Sequence, residues 1–203
     1  MTTSGEVDED KRATLRRFAA LGASGPLAHL AGGDDRDDTE ARSAIAGYLT
    51  AHPGSHFSKI RDELGLGTGE TQHHLRTLVD DGRVERVADG DYRRFYPAGR
   101  YSAFEKRALG YLRRETPRGM LVELLRDPSA GVAALADRLG VSTATVSAHA
   151  GELEAAGLLD RSDGYRLTAP ETVLVLVVRH ADSLGPAAVD LADEADELVS
   201  VDR

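Results

Sequence analysis

The stretch Leu139-Gly140-Val141-Ser142-Thr143-Ala144-Thr145-Val146-Ser147-Ala148-His149, continued by Leu153-Glu154-Ala155-Ala156-Gly157-Leu158-Leu159, decides the fold. Gly140 ends an apolar helical pattern and permits the positive φ of a helix stop, and a new helix opens within a few residues. In that helix Val146, His149, Ala150 and Leu153 recur at i, i+3, i+4 and i+7, one inward stripe that leaves short polar side chains on the opposite face. Gly157 stops it, and Leu158 and Leu159 lead through Asp163-Gly164 into Tyr165-Arg166-Leu167. Asp-Gly between two short strand-like runs signals a hairpin.

Shifting the chain by 75 positions lays a second copy over this unit. Pro53, Asp62, Gly65, Thr68, His74 and Gly82 fall on Pro128, Asp137, Gly140, Thr143, His149 and Gly157 without a gap. In each copy a helix (about 39–51, and about 117–127) ends before Pro53 or Pro128. A short second helix follows, carrying Phe57, Ile60 and Leu64, or Val132, Leu135 and Leu139. After the glycine comes a third (about 68–81 and 143–156), and then a hairpin, which in the first copy runs through Val84, Val87, Asp89-Gly90 and Tyr92 to Tyr96. Three helices and a hairpin make a winged helix. The expected architecture is mainly α with small β-hairpin wings, two tandem winged helix-turn-helix domains.

Around them the pattern predicts a 1–38 arm, partly helical or disordered; domain 1 over 39–100; a basic linker helix over 101–116; domain 2 over 117–168; a C-terminal apolar helix over 169–185; and an acidic tail over 186–203, which keeps Val189, Leu191, Leu198 and Val199 and so forms either a weak amphipathic helix or a frayed end. The C-terminal helix is apolar nearly all round from Val173 to Val178, which makes it and the 102–115 helix candidates for a homodimer interface.

Composition narrows the chemistry. The 203 residues contain no cysteine, which excludes disulfides, thiol nucleophiles and cysteine-held metals. No apolar run approaches a membrane span. No phosphate-cradling glycine loop, nucleophile elbow or catalytic carboxylate spacing appears, so no enzyme activity and no cofactor are expected. Basic residues are almost all arginine, with lysine only at positions 11, 59 and 106; with the acid excess, this is the surface expected of a protein kept soluble in concentrated salt. The net charge of -9 divides unevenly: residues 1–40 carry -4, 41–100 carry +1, 101–183 carry -1 and 184–203 carry -5. Residues 83–118 hold ten basic side chains against five acids, a local stripe able to meet phosphates despite the global sign.

The 139–159 stretch resembles the helix-turn-helix and wing entry of the MarR and ArsR families of prokaryotic regulators. Thr71-Gln72-His73-His74-Leu75-Arg76-Thr77-Leu78 resembles winged-helix regulators of archaea, halophilic ones in particular. The likeness covers roughly 40–183. It implies a cytoplasmic transcription regulator that binds double-stranded DNA as a homodimer on a palindromic site, third helix in the major groove and wing on the neighbouring backbone. The tandem arrangement departs from single-module relatives.

The candidate DNA contacts are Thr68, Gln72, His73 and Arg76 on the third helix of copy one, Arg83, Arg86, Arg93 and Arg94 at its wing, and Ser142, Thr143, Thr145 and Ser147 on copy two. Gln reads adenine, Arg reads guanine, and wing arginines reach phosphates or a narrow minor groove. The plainer reading is a solvated helix face and wing charges paired with Glu85, Asp89 and Asp91. Adjacent His73 and His74 point about 100° apart on a helix and His74 repeats as His149, so a packing role is expected and no metal site. Arg16-Arg17 and the modestly apolar residues to Ala28 resemble a twin-arginine export signal, but an amphipathic helix packed on the first unit suits the segment better. Any small-molecule effector is unknown from sequence. The rival function is a tandem winged-helix protein-interaction module without sequence-specific DNA binding, favoured by the net acidity and the weakly basic third helix of copy two.

Overall fold

The computed structural model describes residues 13–21 and 33–200. The chain divides between Tyr101 and Ser102 into two compact units.

In the first unit, α1 (residues 13–21) precedes α2 (Gly33–Ala51), β1 (Ser55–His56), α3 (Phe57–Leu64), α4 (Thr68–Asp80), β2 (Val84–Asp89) and β3 (Tyr92–Pro97). Ile45, Tyr48 and Leu49 from α2 meet Ile60 and Leu64 from α3, Leu75 and Leu78 from α4, and Val84 and Phe95 from the sheet; all are buried. Leu15 and Phe18 of α1 join this core, Phe18 standing edge-on to Tyr48 at 5.3 Å. Arg16 and Arg17 ride the exposed side of α1; residues 22–28 of the export-like stretch lie outside the described residues. The turn between α3 and α4 is closed by Gly65 at φ 62°, whose N–H donates to the carbonyls of Arg61 and Asp62, while the Leu66 N–H donates to Arg61. The sheet has the order β1-β3-β2, antiparallel throughout, with Val84 opposite Pro97 and Asp89 opposite Tyr92. β1 escapes the sequence pattern because two residues show no alternation.

The second unit runs α5 (Ala103–Leu112), α6 (Glu115–Arg126), α7 (Val132–Leu139), α8 (Thr143–Ala155), β4 (Leu159–Asp160), β5 (Arg166–Leu167), α9 (Pro170–Leu184) and α10 (Pro186–Ser200). Its α7–α8 turn repeats the first: Gly140 at φ 65° donates to Ala136 and Asp137, and Val141 to Ala136. Three features differ from expectation. The helix expected to link the domains, α5, packs on α6 and α9 and is part of the second unit. Residues 186–200, expected as a weak amphipathic helix or a frayed end, are a docked helix: α10 buries Ala188 and Leu191, packs on α9 and α6, and receives two hydrogen bonds at Glu194 from Arg126 (2.9 and 3.2 Å). The second wing is a stub of two-residue strands, because the Ser162 N–H donates to the Asp160 carboxylate at 2.8 Å and turns the chain out of the ladder. On α9, Val173, Leu176 and Val177 are buried, whereas Val175 and Val178 stay 51% and 42% exposed.

Candidate nucleic-acid interface

α4 presents Thr68, Gln72 and Arg76 at four-residue intervals, one exposed ridge along the helix. The ridge faces the wing across a groove of about 600 Å³, to which β2 and β3 contribute Arg86 and Arg93. Phe57, Leu75, Val79 and Phe95 form the apolar floor, and Asp80 closes one end. The sequence showed no sign of the floor, because Phe57 and Phe95 meet only through the fold. Five expected contacts thus share one groove: Thr68, Gln72, Arg76, Arg86 and Arg93. Arg83, at the wing entry, is exposed but does not line the groove.

Arg94 does not reach solvent, which corrects its expected phosphate contact. The pleat sends it to the face opposite Arg93, where it is 4% exposed. Its Nε donates to the Asp89 carboxylate, and its Nη1 donates to the Gly54 carbonyl at 2.9 Å. Gly54 sits at φ 80°, and a Cβ there would stand 3.2 Å from the Tyr96 ring, so this acceptor is fixed by a position that suits glycine.

That internal pairing decides the electrostatics of the groove. Asp89 is taken by Arg94, and the Glu85 carboxylate accepts from the Gly99 N–H at 2.7 Å. Both acids are thus engaged within the fold. Among the described residues, the guanidinium groups of Arg76, Arg83 and Arg86 have no hydrogen-bond or ion-pair partner, and that of Arg93 donates only to the Tyr92 carbonyl at 3.3 Å. Three guanidinium groups brought together against the single carboxylate of Asp80 form a site for anionic oxygens.

The second unit is arranged oppositely. Ser142 caps α8, its Oγ accepting from the Thr145 N–H at 3.0 Å and lying 2.8 Å from the Thr145 hydroxyl, so both expected contacts are engaged in the cap. Thr143 and Ser147 are exposed. The neighbouring arginines are matched: Arg114 with Glu152 (3.3 Å), Arg161 with Glu154 (2.7 Å) and Arg166 with Asp163 (3.0 Å).

His73, expected among the base contacts, is exposed but lies outside the groove lining. Its ring centroid is 5.3 Å from that of His74, and one ligand atom from each of these histidines and from Asp38 of α2 fall within 4.8 Å of one another. The adjacent pair therefore converges instead of diverging. His74 is 2% exposed, its Nε2 is 3.9 Å from an Asp38 oxygen and its Nδ1 has no hydrogen-bond partner. Burial holds its pKa below the ordinary histidine value, against the opposing pull of Asp38. Asp38 was missed because its approach to α4 is a tertiary contact.

Residues 39–109 match a family model described as an N-terminal HTH domain, and residues 113–160 match a winged helix-turn-helix DNA-binding family. No curated protein and no solved structure matches the chain. The protein carries two tandem helix-turn-helix domains of DNA-binding type, mainly helical with small antiparallel hairpins. Among the described residues no helix is long and apolar enough to cross a membrane.

Proposed function

We infer that this protein is a sequence-specific, DNA-binding transcription regulator of MarR/ArsR-like type, working in the cytoplasm and reading double-stranded DNA chiefly through its first unit. The observation that carries this reading is the convergence of unpaired Arg76, Arg86 and Arg93 on one groove beside Gln72 and Thr68. With α4 in a major groove about 12 Å wide, Gln72 and Arg76 meet base edges and the wing arginines meet phosphates. The second unit contributes less, since the arginines flanking α8, Arg114, Arg161 and Arg166, are already paired with acids; Thr143 and Ser147 are its remaining contacts. A homodimer through α9, where Val175 and Val178 are exposed, would set the spacing of two half-sites. Sedimentation in high salt tests this, and a strict monomer removes it.

The deciding experiment is genome-wide crosslinking and recovery of DNA with the tagged protein, repeated with Gln72→Ala/Arg76→Ala. Sharp peaks sharing an inverted repeat and lost in the variant are expected. Diffuse, variant-insensitive recovery would support the protein-interaction reading instead, to which the neutralised α8 face lends its weight.

A further inference from the structure

We propose that Asp38, His73 and His74 form a binding site for a divalent transition-metal ion of the Zn²⁺ class, joining the N-terminal half of α2 to the recognition helix α4. The donors are two imidazole nitrogens and one carboxylate oxygen, a set suited to zinc and its neighbours. A tetrahedral zinc with bonds of about 2.0–2.1 Å holds its ligand atoms about 3.3 Å apart. His74 Nε2 and Asp38 Oδ1 already stand 3.9 Å apart, and all three donors lie within 4.8 Å. Asp38 and His73 are exposed and free to rotate through the remaining ångström, leaving the fourth position to water.

A second observation is independent of that spacing. His74 is buried with an unpartnered Nδ1, while its Nε2 stands 3.9 Å from the Asp38 carboxylate. The Nε2 faces Asp38 at a distance too long for a hydrogen bond, the place a cation between the two would occupy. Arg42 opposes a cation here, while Asp38 and Glu70 favour one, so the local acids outnumber the base. The repeat position in the second unit supplies a contrast: His149 also has an unpartnered Nδ1, but only Glu152 lies near it, at 3.6 Å, and no third donor completes a set.

The site is independent of the DNA reading, and its test reads metal alone. The full chain, stripped with chelator, is titrated with Co²⁺ in moderate salt while the visible d–d absorption of a low-coordinate cobalt site is followed; Zn²⁺ then displaces it. A single saturable site is expected, with affinity falling on the order of 100-fold in Asp38→Asn and in His73→Gln, both exposed positions whose exchange spares the core. Zn²⁺ should raise the thermal midpoint of the wild type and leave that of Asp38→Asn/His73→Gln unmoved. His149→Gln should bind as the wild type does. Undiminished binding in the double variant, equal loss in His149→Gln, or no d–d bands at all would each overturn the proposal.

Discussion

Arg93 and Arg94 are neighbours in sequence with opposite fates, and the difference is measurable. Arg94→Met leaves Asp89 and the Gly54 carbonyl without their donor, and is expected to cost about 3 kcal/mol in chemical denaturation. Arg93→Ala should stay within about 0.5 kcal/mol of the wild type, because its side chain supports nothing in the fold. Both positions read alike in the sequence. Alternation said that they face opposite ways, but which one faces inward depends on Asp89 and Gly54 being placed behind the hairpin, a matter of register. His56 offers a second test at this scale. Its Nδ1 accepts the Lys59 N–H at 3.3 Å to cap α3, and burial, then Arg94 and Lys59, press its pKa below 6.5, with Asp62 pulling weakly the other way. Above that value both folded and unfolded chains hold the ring neutral, and nothing is lost. As the pH falls through 6.5 the unfolded chain takes the proton first, so stability drops until the folded ring also titrates. His56→Asn keeps a good cap that cannot titrate. Its thermal midpoint should fall less than that of the wild type between about pH 7.5 and about pH 5.5.

The repeat is most legible at the level of elements, where glycine stops and inward stripes have physical causes that sequence preserves. Gly65 and Gly140 close equivalent turns with equivalent hydrogen bonds. What sequence leaves unread is how each copy adjusts its packing. A Cβ on Gly119 would stand 2.5 Å from Leu139 Cδ2, whereas the first unit holds Ala44 and Leu64 at the matching positions, both buried. The second unit thus packs a glycine against Leu139 where the first packs an alanine. Gly119→Ala should gain about 1 kcal/mol of helix propensity in a Leu139→Ala background and lose that gain with Leu139 present. The coupling from a double-mutant cycle is expected at about 1–2 kcal/mol. α10 was half legible for a related reason. Its apolar positions allowed a weak amphipathic helix and its acids a frayed end, and only the docked surface of α9 and α6 gives Ala188 and Leu191 somewhere to be buried. Truncation after Leu184 should therefore lower the thermal midpoint of the second unit by about 5 °C or more, where an unstructured tail would leave it unchanged.

For the molecule as a whole, a net charge of -9 is compatible with binding a polyanion because the charges are segregated and, in the first unit, differently partnered. The candidate interface was legible in its residue types and illegible in its pairing, since only tertiary structure decides which arginine keeps a carboxylate. Arg76→Ala, Arg86→Ala and Arg93→Ala should each lower the slope of log affinity against log salt by up to about 1, with Arg83→Ala doing less. Substitution of Arg161 or Arg166 should barely move it, their charges being met by Glu154 and Asp163. Because Asp89 and Glu85 are bonded within the fold and the groove lining holds only Asp80 against three arginines, the outer arginines of the free protein draw counter-ions from the medium. Binding is then an exchange of one set of anions for another. At a fixed ionic strength its affinity should follow which anion is dissolved, weaker in those that grip guanidinium tightly and stronger in those that release it.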